Sequence, residues 1–156
     1  MSFAAVTAAL ARVHDADARR DAALITRELK AWLGSEFVVL RCCEALQNVE
    51  NARAADASAD ALLLVLEALR RHARCAAVVN AAWGAVTLLQ KGTNAKAIRT
   101  WAIEHGALEL AVAFVRDESA DMEIVTTSLA AFCCFTCPHH VSRAVHLGGV
   151  EVRFVV

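Results

Sequence analysis

The sequence predicts an all-α protein built of stacked helical units, and three observations carry that expectation. Of its 156 residues, 58% are hydrophobic, while it holds a single proline, six glycines and no tyrosine, so it has little punctuation for strands or hairpins. Alanine and leucine are abundant and favour helix. Apolar residues recur three and four positions apart through most of the chain, and a short motif near residue 106 returns near residue 148.

Taken in order, a first helix is expected over 3–13, where Phe3, Val6, Leu10 and Val13 share one face, with the polar run His14-Asp15-Ala16-Asp17 ending it. A second spans 18–33 with Ala22, Ile25, Leu29 and Trp32 or Leu33 inward; Gly34 closes it and Ser35 caps the next. The third, over 37–49, carries Phe37, Val38, Leu40, Cys43, Leu46 and Val49. Residues 50–60 are alanine-rich and polar, which predicts a loop or a short, poorly specified helix. Strong helices follow over 61–71 (Leu62, Leu63, Val65, Leu66, Leu69) and 75–90 (Val78, Val79, Ala82, Val86, Leu89), closed by Lys91-Gly92.

The most organised stretch is 94–135. A helix over 94–105 is broken by Gly106, which can take the positive φ of a helix C-terminus and turn the chain sharply. His105 stands in the last turn before it, where positive charge suits the helix dipole. In the helix over 108–116, Leu108, Val112 and Val115 form an apolar stripe with Ala111 beside them. After the polar break 117–121, Asp121 is the candidate N-cap of a helix over 122–135 with Ile124, Val125, Leu129, Phe132 and Phe135 inward.

Ile103-Glu104-His105-Gly106-Ala107-Leu108-Glu109-Leu110 recurs as Val145-His146-Leu147-Gly148-Gly149-Val150-Glu151-Val152, an offset of 42 (148 − 106). Repeats of roughly 40–47 residues are the period of helical solenoids, whose units stack because none buries its own face. The three-helix order of 94–135 and this offset resemble the armadillo repeat family; 18–90 resembles it more loosely, and a HEAT-like two-helix reading stays open there because the helix between residues 49 and 61 is short or missing. The resemblance implies one domain, a right-handed superhelix of units at about 3–49, 50–92, 93–137 and a partial 138–156. The apolar end Phe154-Val155-Val156 is expected to fall within a further unit of a longer protein.

In armadillo proteins the third helices line a concave groove, where a Trp and an Asn four residues later hold an extended peptide. An Asn amide donates and accepts at once, matching a peptide unit. Here the pair is split: Asn48 has Glu44 four residues before it, Trp83 has Thr87 four residues after it, and the third unit has Ala130 and Cys134. The resemblance implies a partner-binding face of Arg41, Glu44 and Asn48, then Asn80, Trp83 and Thr87, then Glu123, Thr127 and Ala130. The plainer reading is the solvated side of amphipathic helices, with Trp83 a packing residue.

Six cysteines, Cys42, Cys43, Cys75, Cys133, Cys134 and Cys137, lie mostly among apolar residues and read as reduced, buried thiols. Cys134, Cys137, His139 and His140 are zinc ligands by type, the alternative reading of this segment. Four ligands within seven residues have difficulty surrounding one ion, so no metal or other cofactor is expected. A C-terminal helix end also disfavours a reactive thiolate at Cys134.

A net charge of −1 gives no pull toward nucleic acid. The N-terminus lacks a signal peptide's basic region and cleavage site, Asp15, Asp17 and Asp21 oppose a mitochondrial presequence, and no apolar run is long enough to span a membrane, so an intracellular and cytoplasmic chain is expected, with the nucleus open. No phosphate loop, HExxH, nucleophile elbow or paired catalytic carboxylates are present. The expected function is a non-enzymatic module binding a protein or peptide; the alternatives are a zinc- or thiol-dependent domain at the CxxCPHH segment and a structural piece of a larger repeat protein.

Overall fold

The structure, a computed structural model, describes residues 2–49, 55–90, 95–117 and 119–135. Every regular element among them is a helix: α1 (Phe3–Ala18), α2 (Ala22–Ala31), α3 (Glu36–Asn48), α4 (Ala55–Arg71), α5 (Ala76–Leu89), α6 (Ala95–Glu104), α7 (Ala107–Arg116) and α8 (Met122–Phe135). None of these is long and apolar enough to cross a membrane.

The helices pack in two rows. In one, α1 lies on α3, α3 on α5 and α5 on α8; in the other, α2 lies on α4, and α4 on α6 and α7. The rows are joined by α1 with α2, α2 with α3, α4 with α5 and α7 with α8. Side-chain bonds join like ends within two pairs of this row: Asp17 near the end of α1 meets Asn48 at the end of α3, and Asn80 early in α5 meets Glu123 and Thr127 early in α8. The core between the rows is aliphatic, with Ile25, Leu29, Leu46, Leu62, Leu66, Leu69, Ile103, Leu108 and Ile124 all withdrawn from solvent.

Several local expectations change. The polar run at 14–17 does not end α1, which continues to Ala18 because Ala16 is buried and closes the apolar stripe of Ala9 and Val13. The second helix does not begin at 18 but at Ala22, with the Asp21 carboxylate accepting from the Leu24 N–H at 2.9 Å. Ser35 is the N-cap residue of α3 without a side-chain cap bond, and Phe37 points outward, 72% exposed, leaving Val38, Val39, Cys42, Cys43 and Leu46 to fill the core. The segment before residue 61 is not a loop throughout, since α4 begins at Ala55. Gly106 has φ 91°, as its place at a sharp corner requires. Asp121 caps α8, accepting from the Glu123 N–H at 2.9 Å. The second copy of the 42-residue motif, at 145–152, lies outside the described residues.

A different recurrence is visible in the turns. At the α2–α3 turn the N–H of Ser35 donates to the Trp32 carbonyl and that of Val39 to Ser35; at the α4–α5 turn Cys75 donates to His72 and Val79 to Cys75, all at 2.8–2.9 Å and all displaced by 40 positions (75 − 35). The two turns touch, as His72 Nε2 donates to the Leu33 carbonyl at 2.8 Å. Buried charge joins α1 to α2: the Arg12 guanidinium grips the Glu28 carboxylate with two bonds of 2.9 and 3.0 Å.

The α1–α2 turn closes as a Schellman motif. The Asp21 N–H donates to the Ala16 carbonyl and the Arg20 N–H to Asp17, both at 2.9 Å, with Arg20 at φ 55°. Glycine is favoured at that position, where the left-handed region costs other residues roughly 1–2 kcal/mol. Arg20→Gly is therefore expected to raise unfolding stability by up to about 1 kcal/mol, the added freedom of the unfolded chain offsetting the rest. Urea unfolding followed by circular dichroism measures it; a loss of stability would show that the side chain itself supports the turn.

Candidate functional site

The outward side of the α3–α5–α8 row gathers polar side chains from distant parts of the sequence. On α5, the Asn80 amide donates to the Glu123 carboxylate of α8, and its carbonyl oxygen accepts from the Thr127 hydroxyl at 2.5 Å. Asn80 and Thr127 are half-buried and Glu123 is exposed, so the cluster lies at the rim of the α5–α8 seam. On α3, exposed Arg41 pairs with half-buried Glu44, one turn away. Exposed Asn48 reaches the Asp17 carboxylate of α1 at 3.3 and 3.4 Å.

One expected site residue faces elsewhere. Trp83 is 1% exposed and lies in the core. Its indole N–H donates to the buried Ser128 hydroxyl at 3.1 Å, and its ring meets Phe114 and Phe135 edge-on with centroids 6.4 and 6.2 Å away. The Thr87 hydroxyl, half-buried, donates to the carbonyl of Trp83 in its own helix at 2.9 Å. Ala130 is exposed on α8. The structure thus brings Asn80, Glu123 and Thr127 together, keeps Arg41 with Glu44, joins Asn48 to α1, and withdraws Trp83.

Sequence reasoning missed Ser128, Gln47 and Asp17. A hydroxyl on the apolar side of α8 is a signal for a buried partner, and an indole N–H needs an acceptor. Gln47 donates its amide to the Ala81 carbonyl of α5 at 2.9 Å and lies over Gly84, where a Cβ would stand 2.8 Å from the Gln47 amide. That approach is possible because Gly84 has no side chain, and pairwise spacing in sequence carries no trace of it.

Among the described residues no group of three metal-ligating side chains converges. Of the zinc alternative, Cys134 is exposed near the end of α8, and Cys137, His139 and His140 lie outside the described residues. Burial pushes the Cys42 thiol up to about 12, with the Glu28 carboxylate adding to it, and raises Cys43 likewise, with Cys42 and Glu44 adding. On the surface, Asp117 is held below the usual carboxylate range by the Ser119 hydroxyl and N–H, with Arg74 adding.

These features can be set beside known proteins. The chain matches no family model, no curated protein and no solved structure. The candidate site offers amide, hydroxyl and paired charged groups, with apolar groups behind them.

Three outcomes follow. Ser128→Ala leaves the Trp83 N–H buried without its acceptor and is expected to lower stability by roughly 1–3 kcal/mol, read by thermal or urea unfolding; an unchanged midpoint would mean that the bond contributes nothing. With a thiol pushed up to about 12, only roughly one Cys42 in ten thousand is a thiolate at pH 8. Mass-spectrometric mapping after brief iodoacetamide treatment should find exposed Cys133 and Cys134 alkylated while Cys42 and Cys43 react only after unfolding. Because the folded Cys42 value lies above the unfolded 9.0, the folded state holds that proton more tightly, and stability should fall as pH rises between about 9 and about 12.

Proposed function

We propose that this chain is a non-enzymatic interaction module of armadillo-like stacked repeats, forming a right-handed superhelix that receives a partner's peptide or surface on the outward side of α3, α5 and α8. The observation that carries this reading is the assembly of Asn80, Glu123 and Thr127 from two neighbouring helices onto one rim. Turns of the same hydrogen-bonded form at a displacement of 40 residues support the repeat reading.

The chemistry suits an extended peptide. Asn80 uses one N–H and one lone pair within the cluster and keeps a second of each, a complement to the C=O and N–H of a peptide unit. The central helix is slim on this side at exposed Ala77, so a ligand backbone can lie close to α5 beside Asn80.

The test uses a displayed library of random peptides selected on the wild-type chain. Asn80→Arg places a long charge on the rim without emptying the core. It is expected to weaken selected peptides at least tenfold, about 1.4 kcal/mol, while circular dichroism shows unchanged helicity. Peptides that bind both forms equally would move the working surface away from this face.

A further inference from the structure

The α1–α2 turn carries a feature that its own geometry does not explain. Arg20 occupies the left-handed position of the Schellman motif, at φ 55°, and among the described residues it is the one non-glycine residue with positive φ. Glycine would close the turn with less strain, so the guanidinium is carried there at a cost to the backbone.

It lines an open cleft on the surface. Arg20, His14 and Asp17 from α1 and its turn, with Gln47 and Asn48 from the end of α3, wall an open cleft of about 530 Å³. Neighbouring arginines are engaged: Arg19 pairs with Asp15 at 2.9 Å and Arg12 with Glu28 at 2.9 Å. The Arg20 side chain is exposed and has no ion pair or hydrogen bond among the described residues. The opposite wall supplies neutral amides: Asn48 reaches Asp17 only through long bonds of 3.3 and 3.4 Å, and Gln47 commits an N–H to Ala81 while its amide oxygen meets no donor among the described residues.

We propose that this cleft holds an Asp or Glu side chain of a partner peptide, its carboxylate on the Arg20 guanidinium and its flanking peptide units against the Asn48 and Gln47 amides. A guanidinium offers two parallel N–H bonds that match a carboxylate, and amides pair with peptide groups. Asp17 in the same wall opposes a second negative charge, which favours a single carboxylate over a dianionic phosphate. The cleft volume falls within the usual range for ligand sites and exceeds what one ion needs. This rests on the reading of the α3–α5–α8 face as peptide-binding, since Asn48 belongs to both, and it gives that face an acid-selective end.

The test is a titration of the isotope-labelled full chain followed by amide NMR, with N-acetyl-L-glutamate N-methylamide as probe and the glutamine analogue as its neutral counterpart. The glutamate probe should shift Arg20, Gln47 and Asn48, the glutamine probe should bind at least tenfold more weakly, and Arg20→Gly should lose the difference while melting no lower than wild type. Equal binding of the two probes, or undiminished binding to Arg20→Gly, overturns the proposal. Shifts confined to Asn80, Glu123 and Thr127 refute the cleft and leave the face standing. Acetate binding as tightly as the capped glutamate would overturn the peptide part of the assignment.

Discussion

The position of α8 against α5, and with it the candidate face, depends on one buried side chain. Trp83 fills the space between α5, α7 and α8, meeting Phe114 and Phe135 edge-on and donating its N–H to Ser128. A buried indole has few orientations in which its ring is packed and its N–H is also satisfied, so the pair fixes both the spacing and the rotation of the two helices. Asn80 precedes Trp83 by three residues, which on a helix places it about 60° away. Once Trp83 is sealed inside, Asn80 must stand at the rim of the same seam, within reach of Glu123 and Thr127.

The α3–α5 seam is built on the opposite principle. Where α5 and α8 are held apart by large rings, α3 and α5 approach closely through Gly84, and the Gln47 amide crosses the gap to the Ala81 carbonyl. That bond reaches a backbone oxygen within a helix, so what it demands of α5 is the absence of a side chain at Gly84. The central helix of the row is thereby anchored by aromatic packing on one side and by a polar bridge on the other. Its outward surface is slim at exposed Ala77, beside the Asn80 amide.

Some charges near this surface are neutralised in pairs, as with Arg41 and Glu44 on α3 or Arg19 and Asp15 at the end of α1. Exposed pairs of this kind contribute little to stability and leave a surface with little net field. With a net charge of −1, the chain exerts little long-range electrostatic attraction. Arg20 departs from the pattern, being strained in its backbone and unpaired among the described residues.

Much of the helical architecture was legible in the sequence because it rests on local rules. The apolar spacing of Leu108, Ala111 and Val112, the positive φ required of Gly106 and the cap at Asp121 all act within a turn or two of chain, where neighbouring residues decide the outcome. Tertiary contacts decided the rest. Ala16 carried α1 through a run of polar residues because α1 packs on α2 and α3 there, and Phe37 was turned outward because Val38, Val39 and Cys42 already filled the interior. Only the tertiary structure placed Trp83 beneath the surface and Asn80 at its rim, since the partners that settle this, Ser128, Glu123 and Thr127, lie more than forty residues away. Helical periodicity states which residues share a side of a helix, but which neighbour covers that side is set by the packing of the whole chain.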